Sequence, residues 1–370
     1  MQSSVMGRIV VVVCVLLPAL IFAQISSTAR LQPYPVEVGD LGQCCGYTVE
    51  EERTGALLRC VNQTLNSDSG RDRERDREPG APKVTLLSYV SAETNMSLHF
   101  AVPDILDFAS YHAALVTAYA RHNKYDYKFI TPDMAIAKGA VEHEDIRWTK
   151  VKLLIDALDP IVGWARDSEF VAWIDADAVL LDFGMRLETI ANDQFPGAHF
   201  LASADIRQGY INSGFLLVRN SAWLRSFLQR WWDAADRATV CDQDAFDIVY
   251  TAYSREEKER EEKKRARDRD EKGVSDATAA ATLAELIRIL PRDALNTDPP
   301  ASLRQKPENQ VLHLMGESTA LRVEVFRQGW QQVCKSISSS TAGGNSGGNS
   351  NMEVLPSQLG LHRMWLTRTR

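Results

Sequence analysis

A five-residue apolar run that ends in two carboxylates constrains the fold of this chain more than any other feature. Residues 170–174 (FVAWI) are apolar at every position, which is typical of a strand buried on both faces. Asp175 and Asp177 follow directly, with only Ala176 between them. Open α/β sheets bind their ligands at the carboxyl ends of the strands. The sequence therefore predicts two acidic side chains at the ligand-binding edge of a central strand.

Strand-like and helix-like segments alternate around that run. The predicted strands are 84–91, 125–131, 170–174, 200–203 and 214–218, and the predicted helices are 104–122, 148–158 and one capped by Asn220 and Ser221. This alternation favours an α/β fold with a mainly parallel sheet flanked by helices in a single domain. The motifs GxGxxG and GxxxxGK[ST] are absent from the sequence, which argues against a dinucleotide Rossmann site and a P-loop.

The two ends of the chain differ in composition from this central part. Residues 9–23 are apolar and uncharged, a length between a signal-peptide core and a full membrane span. We predict a cytosolic N-terminus over 1–8, a signal anchor or signal peptide over 9–23, a lumenal stem over 24–82, a single folded domain over 83–335 and a low-complexity tail over 336–370.

This organisation predicts a single-pass type II membrane protein of the secretory pathway with residues 83–335 in the lumen, or a secreted protein if the N-terminal segment is cleaved. Asn62 and Asn95 stand in glycosylation triplets, as expected for secretory proteins. Five cysteines lie outside the apolar segment, so at least one has no partner within the chain. The sequence leaves their pairing open.

The net charge argues against nucleic acid as a partner, and the distribution of charge indicates one insertion. The net charge of −7 argues against nucleic-acid binding along a broad basic face. Residues 255–272 are charged at 17 of 18 positions, with Glu and Lys or Arg at offsets of three and four. Such offsets favour an exposed helix, and we interpret the segment as a surface insertion.

Two carboxylates separated by one small residue repel each other unless a cation neutralises them. Mn²⁺ and Mg²⁺ suit carboxylate oxygens, and either ion bridges the two phosphates of a nucleotide diphosphate. Asp175 and Asp177 are therefore candidate metal ligands.

Several short motifs occur in an order that resembles the GT-A-fold glycosyltransferases, and family 34 in particular. They are Tyr119-Ala120, Asn123-Lys124-Tyr125-Asp126-Tyr127, Trp148-Thr149-Lys150, the WIDADAVLL run at 173–181, INSGFLLVRNSAW at 211–223, DQDA at 242–245, LPRDALN at 290–296 and VLH at 311–313. The resemblance spans about 119–313 and implies a GT-A-type, Rossmann-like fold. It also implies that residues 83–335 are the catalytic domain of a Golgi membrane protein and lie in the lumen.

The resemblance also implies roles for individual residues. Metal ligands would be Asp175, Asp177 and His313, and catalytic residues near the sugar and acceptor would be Asp242, Gln243 and Asp244. Further donor-binding residues would be Ser88, Tyr89, Lys150, Asn212, Ser213 and Gly214. The chain departs from the family after His313, where Leu314-Met315-Gly316-Glu317 follows and the nearest downstream base is Arg322.

The implied activity is transfer of a hexose or pentose, with retention of configuration, from a nucleotide sugar to a glycan or glycoprotein acceptor. UDP-galactose is the first candidate donor, followed by UDP-xylose and GDP-mannose. Two alternatives stay open at this point. One is a non-catalytic lumenal subunit on a glycosyltransferase scaffold, and the other is a secreted lectin-like module.

Overall fold

A computed structural model of the chain describes part of its length. The described residues are 39–45, 57, 59–61, 63, 82–90, 105–130, 146–180, 182–205, 211–235, 241–270, 281–292, 294–297, 311–315 and 319–342. The apolar segment 9–23, the candidate glycosylation residues Asn62 and Asn95 and the charged stem residues 71–78 lie outside them.

A six-stranded sheet forms the centre of the fold, in the spatial order β2-β1-β3-β6-β5-β7. Its strands are β1 (Val84–Tyr89), β2 (Asp126–Ile130), β3 (Phe170–Ile174), β5 (Phe200–Ala204), β6 (Ile211–Arg219) and β7 (Ile287–Leu290). Only β6 runs antiparallel to its neighbours; the pairs β1–β2, β1–β3 and β5–β7 are parallel. The predicted α/β fold with a mainly parallel sheet is confirmed.

Helices cover both faces of this sheet. They are α1 (Ile105–His122), α2 (Thr149–Ala157), α3 (Leu187–Thr189), α4 (Ala222–Asp233), α5 (Asp242–Asp270), α6 (Leu283–Leu286) and α7 (Thr319–Ala342). One face packs against α1 and α7, and the other against α2, α4 and the first turns of α5. All five residues of β3 are buried, because its alternate side chains enter the two separate cores.

Local sequence explains where several of these elements begin and end. Helix α4 begins after Ser221, whose Oγ accepts a hydrogen bond from the Leu224 amide, as the sequence predicts for an N-cap. The chain reverses after α1 at Lys124, which adopts a left-handed conformation with φ 59°. Helix α5 carries the charged residues 255–266 outward into solvent, which confirms the predicted exposed helix.

A second, three-stranded sheet lies at the carboxyl edge of the first. It contains β4 (Ala178–Leu180), β9 (Val311–His313) and β8 (Asn296–Thr297). Strand β4 begins immediately after Asp177, and it pairs antiparallel with β9 so that Ala178 lies opposite His313. This pairing brings His313 close to Asp177, which directly precedes β4.

Part of the predicted stem packs against the core. Leu41, Cys44, Leu57 and Val61 are buried in the same apolar cluster as α1 and α7. Disulfides join Cys44 to Cys60 and Cys45 to Cys334, and Cys241 is a buried free thiol.

Helix α7 continues to Ala342, into the segment predicted as tail. The domain boundaries at 83 and 335 stay a prediction.

Removal of the Cys45–Cys334 disulfide is expected to destabilise the protein by about 2–5 kcal/mol. The bond closes a loop over a sequence separation of 289 residues, and cross-links of long loops restrict the unfolded chain most. The double variant Cys45→Ser/Cys334→Ser, followed by chemical denaturation, measures the effect. Cys241→Ala is the control, because it removes a thiol that forms no disulfide and buries no hydroxyl. Equal losses in both variants would contradict the prediction.

The predicted single-pass Golgi membrane localisation requires correction. No helix in the described part of the chain is both long enough and apolar enough to cross a membrane. The predicted membrane contact through an N-terminal anchor is corrected on the same finding.

Candidate active site

The direction of β6 determines which residues meet at the carboxyl end of β3. Because β6 is antiparallel, its first residues lie beside the last residues of β3, with Ile174 opposite Phe215. The Asp175 amide donates to the Gly214 carbonyl oxygen at 2.8 Å. The motif that begins β6 is thereby fixed against the two carboxylates.

A bulge in β6 shapes this junction further. Ala202 of β5 lies opposite Leu216, yet the next residue, Ser203, lies opposite Asn212. Residues 213–215 are therefore looped out of the β5–β6 ladder. Bulges of this kind redirect side chains beside active sites, and this one lies where Ser213 meets α2 and α5.

Asp175, Asp177 and His313 form a cluster able to hold a metal ion. One ligand atom from each lies within 4.8 Å of the others. His313 Nε2 is 3.1 Å from Asp177 Oδ1 and 3.8 Å from Asp175 Oδ2. The carboxylates are partly exposed, whereas the imidazole is buried. Two carboxylate oxygens and one imidazole nitrogen suit a divalent ion such as Mn²⁺.

Gly214 provides the space in which His313 lies. A Cβ atom on Gly214 would lie 2.3 Å from the imidazole Nδ1 and Cε1 and 2.7 Å from Nε2. No side chain larger than hydrogen fits between this backbone and the ring. The glycine of the INSGF segment therefore permits close approach of the histidine.

A buried lysine links the first carboxylate to Asp242. Lys150 Nζ lies 3.1 Å from Asp175 Oδ2 and 3.5 Å from Asp242 Oδ2. Lys150 also donates to Ser213 Oγ at 2.9 Å, and this hydroxyl donates to Asp242 Oδ2 at 2.8 Å. Trp173 Nε1 donates to the other oxygen of Asp175 at 2.5 Å. Asp242, the first residue of α5, thus belongs to the same polar network as the candidate metal ligands.

Arg322 approaches the second carboxylate from helix α7. Its Nη2 lies 3.2 Å from Asp177 Oδ2, and its Nε donates to the Leu314 carbonyl oxygen at 2.9 Å. Arg322, the nearest base downstream of His313 in the sequence, thus contacts a candidate metal ligand.

Asp177 and His313 shift each other's pKa values. Burial alone raises the pKa of Asp177, but His313 and Arg322 outweigh it and hold the carboxyl pKa well below its usual range. Burial lowers the pKa of His313, and the negative charges of Asp177 and Asp175 overcome this and raise it. With Lys150 and Arg322 also present, a proton on His313 brings the network of three carboxylates (Asp175, Asp177 and Asp242) to zero net charge.

Burial and neighbouring charges also shift the pKa values of Lys150 and Asp242. Burial lowers the pKa of Lys150, but Asp175 and Asp242 outweigh that effect and raise it. Burial raises the pKa of Asp242, and this exceeds the opposing effects of Lys150 and the Ser213 hydrogen bond. Asp242 depends on Lys150 for its ionisation.

His112 supports the site from the core side. Its Nδ1 lies 3.3 Å from the Ala178 carbonyl oxygen, which only accepts, so Nδ1 carries the proton. Nε2 accepts from the Ser88 hydroxyl at 2.9 Å. The ring thereby connects β1 and β4, and burial lowers its pKa to about 4.

Acidification is expected to destabilise the protein through His112. The unfolded imidazole binds a proton below about pH 6.5, whereas the folded one resists protonation down to about pH 4. Stability is therefore lost as pH falls through this window, by about 3 kcal/mol for the full shift. Denaturation curves of wild type and His112→Asn between pH 7 and 4 measure the difference. Equal pH slopes for the two proteins would contradict the prediction.

The remaining predicted site residues lie at different distances from the cluster. Ser88 is fully buried with its hydroxyl on His112, and Tyr89, at the end of β1, is only partly buried. Gln243 donates from Nε2 to the Ile211 carbonyl oxygen at 2.6 Å. Asp244 is partly exposed and forms no hydrogen bond or ion pair with the cluster among the described residues. Their assigned roles stay predictions.

Sequence reasoning missed two contributors. His112 lies in a helix with ordinary apolar spacing, and nothing local distinguishes it from a core residue. Asn296 donates from Nδ2 to Asn212 Oδ1 at 2.6 Å, although it entered the sequence argument only as the end of LPRDALN. The LPRDALN motif is the sequence signal that could have identified Asn296 as a site residue.

Comparisons with known proteins give distant similarities. No protein-family model matches the chain. No curated protein matches it either. Among solved structures, a glycosyltransferase involved in glycosylation of the major capsid of PBCV-1 is 15% identical, covering 66% of this chain and 99% of its own, with a TM-score of 0.42. Mouse xyloside xylosyltransferase 1 is 12% identical over 63% and 98%, with a TM-score of 0.35. GlyE of Streptococcus pneumoniae is 10% identical over 70% and 64%, with a TM-score of 0.34.

Proposed function

We propose that this protein is a metal-dependent glycosyltransferase that uses a nucleotide-diphosphate sugar as donor. The observation that carries the proposal is the cluster of Asp175, Asp177 and His313 at the carboxyl end of β3. Family 34, retention of configuration, and galactose from UDP-galactose are finer parts of the same proposal. They rest on the ordered motifs, and the acceptor is proposed to be a glycan or glycoprotein.

The three side chains of the cluster offer a suitable set of ligand atoms for a divalent cation. The Nε2 atom of His313 faces oxygens of two carboxylates. Three electron-rich atoms within 4.8 Å favour a positive charge among them, either a proton on Nε2 or a divalent ion. Asp175, Asp177 and His313 would hold the ion, which we propose to be Mn²⁺ or Mg²⁺. When bound, it would act as a Lewis acid on the diphosphate of the donor.

Charge balance explains why such a site would attract a diphosphate. The carboxylates of Asp175, Asp177 and Asp242 face the cations of Lys150 and Arg322, so the network has one net negative charge when His313 is neutral. A divalent ion would reverse the sign to one net positive charge. The filled site would therefore favour an anionic ligand, and the empty site would not.

The chain's own residues have distinct tasks in this proposal. Arg322, held against Asp177 and Leu314, would offer its guanidinium to a phosphate oxygen of the leaving diphosphate. Lys150 would keep Asp242 ionised and hold both Asp175 and Asp242 in place. Asp242, buried beside Ser213, would lie near the sugar and either stabilise positive charge there or accept the acceptor proton.

Donor hydrolysis by the full-length protein tests the proposal. We expect Mn²⁺-dependent release of nucleoside diphosphate from one of UDP-Gal, UDP-Xyl, UDP-Glc, UDP-GlcNAc or GDP-Man. The variant Asp175→Asn/Asp177→Asn keeps the side-chain shapes, removes both charges and is expected to lose this turnover. Asp167→Asn is the matched control, because it neutralises an exposed carboxylate outside the cluster.

Other outcomes favour the alternatives. Mn²⁺-dependent nucleotide binding without turnover would favour a non-catalytic subunit on a glycosyltransferase scaffold. If neither nucleotide nor metal binds, the glycosyltransferase proposal fails. Turnover with only one donor would identify the sugar.

A further inference from the structure

Asn212 is one of the donor-binding residues that the resemblance implies, yet its side chain faces His313. Its Oδ1 lies 3.0 Å from His313 Nδ1, on the far side of the ring from the carboxylates. Asn212 is 1% exposed and lies immediately before the β6 bulge, opposite Ser203. The contact is buried and joins two strands of different sheets.

The orientation of the Asn212 amide follows from a backbone donor. The Gly214 amide N–H donates to the same Oδ1 at 3.0 Å, and a backbone N–H never accepts. Asn296 Nδ2 donates to it as well, at 2.6 Å. A flipped amide would direct its NH₂ group at both donors. The oxygen therefore faces His313.

An oxygen acceptor at this position determines the tautomer of the ring. His313 Nδ1 has to carry the proton in order to donate to Asn212 Oδ1. In the neutral ring, Nε2 is then left with its lone pair, and Nε2 is the atom that faces Asp175 and Asp177. Histidine ligands depend on this arrangement, in which the second ring nitrogen donates to a fixed acceptor.

We propose that Asn212, held by Gly214 and Asn296, is a positioning residue that presents the lone pair of His313 Nε2 to the metal. This inference rests on the metal site of the proposed function and adds a role within it. Asn212 then acts on the ion through His313 rather than on the sugar directly.

Mn²⁺ affinity of the full-length protein, measured by electron paramagnetic resonance of the free ion, tests the proposal without any activity assay. Asn212→Leu and the smaller Asn212→Ala remove the acceptor and are expected to weaken Mn²⁺ binding about 10- to 100-fold. Asn212→Asp keeps an oxygen for the same three donors and is expected to bind Mn²⁺ nearly as tightly as wild type.

Asn220→Leu is the matched control. It removes a hydrogen-bonded asparagine at the opposite end of β6, where the side chain bonds to Arg166, Ser168 and Arg225. It is expected to cost stability but leave Mn²⁺ affinity unchanged. If wild type binds Mn²⁺ and Asn212→Ala binds it equally well, the positioning role is overturned while the metal site stands. If wild type binds no Mn²⁺, both fall.

Discussion

Replacing Gly214 by Ala is expected to weaken Mn²⁺ binding by about 100-fold or more, at or beyond the upper end found for residues that support a metal ligand. The new methyl carbon would lie 2.3 Å from ring atoms of His313, a distance that real Cβ contacts do not adopt. Either the imidazole or the start of β6 has to move. Movement of the ring takes Nε2 away from the carboxylates, and movement of β6 breaks the contacts of Asn212 with His313 and of Gly214 with Asp175. Mn²⁺ binding and Mn²⁺-dependent donor hydrolysis are therefore expected to fall together.

Gly329→Ala is the control for this substitution. That glycine is also in the core, where a Cβ would lie 3.3 Å from the tip of the flexible Leu115 side chain. We expect little change in Mn²⁺ affinity there. Titrations of both variants and thermal unfolding without metal separate loss of the site from loss of the fold. Wild-type affinity in Gly214→Ala would show that the imidazole is not confined as described.

Lys150→Met is expected to cost about 3–5 kcal/mol of unfolding free energy, the range for removing one partner of a buried ion pair. The lysine is 5% exposed and Asp242 is 2% exposed, so the carboxylate would be left buried without its cation. Its pKa, already raised by burial, would rise further. The double variant Lys150→Met/Asp242→Asn is expected to regain part of the loss, since the amide needs no counter-charge.

Lys152→Met supplies the comparison within the same helix. Lys152 pairs with Asp156 one turn away, and both side chains are partly exposed. Such a pair contributes only about 0.5 kcal/mol. Urea denaturation of the three variants tests the difference. Similar losses for Lys150→Met and Lys152→Met would mean that the buried network does not depend on its lysine.

Much of the secondary structure follows from local pattern. The apolar run of β3, the helical spacing of α1 and the Ser221 cap predict their elements to within a few residues. These local patterns do not predict which strands lie beside β3 in the sheet. Short strands such as β4 and β9 carry too few residues for a period to be read, and the stem residues that pack on α7 have no pattern that separates them from a linker.

The sequence by itself determined that Asp175 and Asp177 emerge together at the end of a buried strand, because two residues one apart cannot separate in space. Only the tertiary structure decided what surrounds them. The antiparallel direction of β6 placed Asn212 and Gly214 beside β3, the β4–β9 pairing brought His313 across, and α7 brought Arg322. The distinction is physical. Local spacing fixes residues on one element, whereas side chains from distant segments meet only when burial of both sheet faces has fixed strand order, direction and register.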